Sequence, residues 1–152
     1  MNTLDICGHH LNPGQWSDRI LNTDSSDGQL FIIGKDDFYL SNDGRLFKLP
    51  RGGQGDGISA PRIATIFGRD HGGDDWLAGW IHDGGYRFWL MIWDDAQQAF
   101  VKWDKAHGRS KKACDDLLHE CGIGCGDTEP MANVLYWAVA IIGKRSYQMP
   151  DF

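Results

Sequence analysis

The run WLAGWIHDGGYRF, from Trp76 to Phe88, sets His82 and Asp83 side by side among apolar residues, with Tyr86 four positions after the histidine. An imidazole and a carboxylate taken out of water without partners are costly. A fold that buries this segment must therefore bring each group a hydrogen bond, a counter-charge or a cation. On a helix, positions four apart share a face and neighbours point roughly 100° apart. His82 and Tyr86 then share a face, and Asp83 points to one side of it.

A partner for the histidine stands further along the chain. In SKKACDDLLHEC, Asp115 sits beside the apolar positions Cys114, Leu118 and Cys121. If this segment is a helix packed antiparallel to the first, the Asp115 carboxylate can accept the proton on one ring nitrogen of His82. That orients the ring and leaves the other nitrogen as a base. Asp83, aimed elsewhere, is left to bind a hard cation together with loop carbonyl oxygens.

The surrounding pattern gives an α+β fold: a small antiparallel β N-terminal half, then packed helices carrying the H-D-x-x-Y motif. The 152 residues, 41% hydrophobic and 24% charged, suit one globular domain. Its first part, residues 1–62, is rich in strands and turns. LFIIG, DFYLS and RLFKLP are short β-prone runs, and Asn42-Asp43-Gly44 marks a hairpin between the last two. RGGQGDGISAPR, closed by Pro61, fits neither periodicity and reads as a glycine-rich loop. Residues 63–152 read as mainly helical. Asp74 or Asp75 caps the first helix; Ser110 caps the second, which stops at Gly122. Thr128 caps a third, EPMANVLYWAVAIIG, with Pro130 in its first turn. Between the first two helices, FWLMIWDDAQQAFVKWDKAHG either prolongs the helix or forms a hairpin turning at Asp94-Asp95-Ala96-Gln97; the pattern leaves both open.

A net charge of −6 without a basic block argues against nucleic-acid binding. The N-terminal residues lack the charged and apolar regions of a signal peptide, and MANVLYWAVAIIG is too short to span a bilayer as a helix. The expected place of synthesis is a bacterial-type cytoplasm, with release by a route other than a signal peptide as the alternative. Of the four cysteines, Cys7, Cys114, Cys121 and Cys125, three lie in one short segment. Their spacing matches no zinc pattern even with His119 added, so buried free thiols are expected. His9-His10 reads as a surface turn.

H-D-x-x-Y on one helix, followed by C-D-x-x-L-x-x-C on the next, resembles secreted phospholipases A2 and their viral relatives. The resemblance implies that His82 activates a water, that Asp115 orients it with Tyr86 completing the network, and that Asp83 holds calcium. It also implies a β-wing between the two helices. Over Leu46 to Gly143 the chain resembles an uncharacterised domain family common in phages and prophages. The motifs in order are LPRGGQGDGISAPR, HDGGYR, SKKACDDLL and YWAVAIIG. This resemblance implies phage origin and a shared fold.

The chain departs from these patterns at defined places. Gly84 and Gly85 replace bulky residues after His-Asp and weaken the helix by roughly 1 kcal/mol each. The phospholipase calcium loop is absent as such. Its nearest substitute is GGQGDG, with Gly53, Gly55 and Asp56 as loop contributors; His71-Gly72-Gly73-Asp74 is a second candidate. Ser59 and Arg62 read as structural, and no G-x-S-x-G elbow surrounds Ser59. Two functions are therefore expected. One is a calcium-dependent, phospholipase A2-like ester hydrolase carried by or associated with a virion. The other is a non-catalytic phage structural or tail-associated protein in which the His-Asp-Tyr cluster only packs. Either would meet other phage proteins or a lipid surface through the tryptophan-rich segment 88–103.

Overall fold

The computed structural model describes residues 4–6, 9–17, 23–25, 31–55, 76–124 and 129–142. The fold is α+β. Its centre is a five-stranded antiparallel sheet in the order β10-β9-β7-β6-β3. The N-terminal part supplies β3 (Gln15–Trp16), β6 (Asp37–Leu40) and β7 (Leu46–Leu49). β9 (Met91–Asp94) and β10 (Ala99–Lys102) come from the aromatic segment between the first two helices. Outside this sheet, β1 (Leu4–Ile6) pairs with β2 (His9–Leu11). β4 (Thr23–Ser25), β5 (Phe31–Ile33) and β8 (Gln54–Gly55) form a three-stranded sheet.

The β6–β7 hairpin lies where Asn42-Asp43-Gly44 placed it. Leu40 pairs with Leu46, the Ser41 amide donates to the Arg45 carbonyl at 2.8 Å, and Gly44 takes a left-handed φ of 89°. Glycine adopts that conformation without a Cβ clash. Alternation along the strands then makes both faces of the sheet apolar. Tyr39, Phe47 and Ile92 turn to the main core with Trp103, while Phe38, Leu40 and Leu46 turn the other way, against Leu11, Trp93 and Phe100.

Three helices follow in the chain, of which the first two pack on the first face and the third packs on the second helix. They are α1 (Trp76–Tyr86), α2 (Lys111–Gly124) and α3 (Glu129–Ile142). Ser110 caps α2, its hydroxyl oxygen accepting from the Ala113 amide at 3.0 Å. Glu120 ties α2 to the sheet by accepting from the Tyr39 hydroxyl and the Asn42 amide. α1 ends in a left-handed turn at Phe88 (φ 63°), with the Trp89 amide donating back to the Gly84 carbonyl at 3.1 Å. Glycine normally fills that position. Here the Phe88 ring lies under the Arg109 guanidinium, 4.7 Å away, and Lys102, 5.2 Å away.

Segment 88–109, for which the sequence pattern left helix and hairpin open, is a hairpin followed by a short 3-10 turn, Lys105–His107. Phe47 pairs with Ile92, which makes the hairpin an extension of the N-terminal sheet. The glycine-rich run is not wholly loop, because Gln54 and Gly55 pair with Ile32 and Phe31. His9-His10 lies in a strand, and α2 continues past Gly122 to Gly124. Asp74, Asp75, Pro61 and Thr128 lie outside the described residues. No helix among the described residues is long and apolar enough to cross a membrane.

Candidate active site

α1 and α2 pack antiparallel: His82 meets Asp115 near one end of the contact, and Tyr86 approaches Lys111 near the other. Gly85 permits the close approach to α2, and Gly84 makes room for Trp89 beyond the end of α1. A Cβ on Gly85 would come within 2.7 Å of the Cys114 sulfur, and one on Gly84 within 2.8 Å of the Trp89 ring. The residues that weaken α1 by propensity are thus the ones its packing requires.

The contact brings His82, Tyr86 and Asp115 together. His82 Nε2 lies 3.0 Å from Asp115 Oδ1, and the Tyr86 hydroxyl donates to the same oxygen at 2.6 Å. The His82 and Tyr86 rings lie tilted against each other at 41°, with centroids 4.0 Å apart. Lys111, which the sequence reading passed over, donates from Nζ to Asp115 Oδ2 at 2.8 Å and to the Ala140 carbonyl of α3 at 3.2 Å. Its signal was the i, i+4 spacing to Asp115. Burial works to raise the Asp115 pKa, but the hydrogen bonds from His82, Lys111 and Tyr86 outweigh it and hold the carboxyl below its usual range. The cluster is enclosed, with His82 4%, Tyr86 4% and Asp115 2% exposed.

Arg109 is a buried cation that sequence reasoning missed. Its Nε donates to the Gly85 carbonyl at 2.8 Å and its Nη2 to the Tyr86 carbonyl at 3.3 Å. A cation there satisfies the last carbonyls of α1 and complements the helix dipole. No local periodicity marks Arg109, which follows a turn glycine.

Asp83 is buried next to this cluster, 3% exposed. The expected loop contributors divide. Gly53 does reach α1, since the Trp89 ring fills the space between it and Gly84. Its carbonyl, however, accepts from the Ile33 amide, and the Gln54 carbonyl accepts from the Trp89 indole at 2.9 Å. Gly55 lies in β8 opposite Phe31. Asp56, Ser59, Arg62 and His71–Asp74 lie outside the described residues. Calcium takes about six to eight oxygen ligands. Among the described residues, no group of three or more His, Cys, Asp or Glu side chains is placed to hold a metal ion.

Cys114 and Cys121 are buried and in no disulfide, and burial pushes the Cys114 thiol up to about 12. His119 does not join them; its Nε2 lies 2.7 Å from Asn133 Oδ1 on α3. Within the tryptophan-rich segment Trp103 is buried, and Phe88, Trp89, Trp93 and Phe100 are half-buried. The exposed large apolar side chains among the described residues are instead Ile123 on α2 and Trp137 and Ile141 on α3, the last two 61% and 71% exposed. Comparison with protein-family models, with curated proteins and with solved structures finds no match to this chain.

Proposed function

We propose that this chain is a phage-encoded ester hydrolase with a phospholipase A2-like site in which His82 is the general base. The observation that carries the reading is the convergence of His82 Nε2, the Tyr86 hydroxyl and Lys111 Nζ on the Asp115 carboxylate. An ionised Asp115 selects the imidazole tautomer with its proton on Nε2, which makes Nδ1 the basic nitrogen. Nδ1 takes a proton from water as the water attacks the ester carbonyl. Asp115 stabilises the imidazolium that forms, and the same proton passes to the departing alkoxide. A base held in this way contributes about 10²–10⁴-fold to rate. The resemblance also implies calcium at Asp83, so the test varies calcium.

The enclosure of His82 favours a second reading. A fully bonded, buried polar cluster also fixes the pairing of two helices without any chemistry. The chain would then be a non-catalytic virion or tail-associated protein, and Trp137 and Ile141 on α3 would be the residues that meet a partner or lipid.

The test is hydrolysis of phospholipid vesicles and short-chain esters, with added calcium and with a chelator. Turnover by the wild-type chain supports the hydrolase, and loss in chelator supports the calcium. Absence of turnover across both ester classes favours the packing cluster.

A further inference from the structure

We propose that His107 is a pH-operated latch that closes the β9–β10 hairpin onto the turn leading into α2. Its two ring nitrogens face two carboxylates from different parts of the chain. Nε2 lies 2.8 Å from Asp94 Oδ2, at the end of β9, and Nδ1 lies 2.6 Å from Asp104 Oδ1, the cap of the 3-10 turn. Ionised carboxylates only accept hydrogen bonds, so both contacts are bonds only when both ring nitrogens carry protons. A neutral imidazole has one N–H and must turn a lone pair toward one of the two anions. Loss of one proton therefore breaks one tie.

The remaining bonds show what the latch holds. On the hairpin side, Asp94 also accepts from the Gln97 amide at 3.0 Å and from the Gln97 side chain at 3.1 Å. On the turn side, Asp104 Oδ1 accepts from the His107 amide at 3.0 Å, and the Asp104 carbonyl accepts from the Arg109 amide at 2.9 Å. The Trp103 indole donates to the His107 carbonyl at 3.0 Å, and Trp103 stands edge-on to Phe47 with centroids 5.1 Å apart. The turn thus positions Trp103 in the core and Arg109 on the end of α1. Opening the latch releases the hairpin end from the segment that caps the His82 helix.

The charged groups facing His107 are Asp94 from β9 and Asp104 from its own turn; the nearby Asp95 instead accepts from the Trp93 indole at 2.8 Å. The hydrogen bonds to Asp94 and then Asp104 raise the His107 pKa above 6.5, and the His107 bond holds Asp94 down to about 2. A raised histidine contributes fully below its unfolded pKa and loses its contribution as pH rises through the folded value. A depressed carboxylate contributes above its unfolded pKa and loses its contribution as pH falls through the folded value. The latch is therefore fully closed below pH 6.5 and above the ordinary carboxylate value of 3.8. It opens as pH rises through the folded His107 value and as pH falls through that of Asp94.

The test is an NMR titration of the His107 ring, with hydrogen exchange of the Gln97 and His107 amides followed over the same pH range. The expected result is a His107 pKa above 6.5, and protection at both amides that falls about tenfold as the ring loses its proton, after correction for intrinsic exchange. Asp94→Asn should bring the His107 pKa back toward 6.5. His107→Gln should remove the pH step in protection. A wild-type His107 pKa at or below 6.5, or protection unchanged through its titration, overturns the latch whether or not either variant folds.

Discussion

Tyr86 and His82 share one acceptor: the tyrosine hydroxyl and the imidazole Nε2 both reach Asp115 Oδ1, at 2.6 and 3.0 Å. A single oxygen thus fixes the angle between the two side chains of α1. The second oxygen belongs to Lys111, so each partner of the carboxylate can be removed separately.

Tyr86→Phe keeps the ring against His82 and removes only the hydroxyl. A hydrogen bond to a charged group contributes about 1.5–3 kcal/mol. The variant should lose about that much stability in urea unfolding at neutral pH, with the denaturant slope unchanged. Under the proposed function it should also lower turnover, because the acceptor that orients His82 is less constrained.

Lys111→Met leaves a buried carboxylate without its cation. Removing one partner of a buried pair costs about 3–5 kcal/mol, and less here because the lysine is partly exposed. The pH dependence has a definite sign. The Asp115 carboxyl lies below its ordinary 3.8, so its contribution is present above that pH and lost as pH falls through the folded value. The acid-unfolding midpoint of Lys111→Met should move to higher pH than that of the wild type, followed by circular dichroism.

Gly85→Ala should destabilise although alanine is the better helix former by about 1 kcal/mol. The added Cβ would meet the Cys114 sulfur at 2.7 Å and the Trp103 ring at 3.3 Å. Overpacking of this kind costs about 1–3 kcal/mol. Combining Gly85→Ala with Cys114→Ala removes the nearest clash. The double variant should therefore be more stable than the sum of the two single effects, a coupling that thermal denaturation of the four proteins measures.

Cys114 and Cys121 should resist thiol reagents in the native protein at neutral pH. The Cys114 thiol is pushed up to about 12 by burial, and both side chains are fully enclosed. Only thiolate reacts. In a Cys7→Ser/Cys125→Ser background, the colour yield with an aromatic disulfide reagent should be near zero until denaturant is added, then reach two thiols per chain.

Helical spacing was enough to bring His82 and Tyr86 to one face and to name Asp115 as the partner of His82, while the bond from Tyr86 to the same carboxylate was implied only by the resemblance. Asn42-Asp43-Gly44 and Ser110 were legible for a similar reason, since turn and cap preferences act within a few residues. The aromatic segment was not. Trp93 and Phe100 point to one face of the sheet while Ile92 and Val101 point to the other, so apolar residues occupy both faces and erase the alternation. What makes it strand is pairing with β7, far away in sequence. Gly84 and Gly85 misled in the opposite sense. Propensity counts them as a weakness of the helix, whereas packing against Trp89 and Cys114 leaves no room for a Cβ. Arg109 was not legible because its partners, the Gly85 and Tyr86 carbonyls, are backbone groups without a residue-type signature, whereas Lys111 carried one, its i, i+4 spacing to Asp115.

The most direct test of the account is the turnover and melting temperature of His82→Gln beside the wild type. Glutamine retains an N–H donor for Asp115 but cannot act as a base. The account predicts ester turnover by the wild type, a loss of about 10² or more in a folded His82→Gln, and a melting temperature within a few degrees of the wild type. A His82→Gln chain that hydrolyses esters as fast as the wild type would contradict it. So would a wild type with no turnover whose His82→Gln variant is strongly destabilised, since the cluster would then serve only to hold α1 against α2.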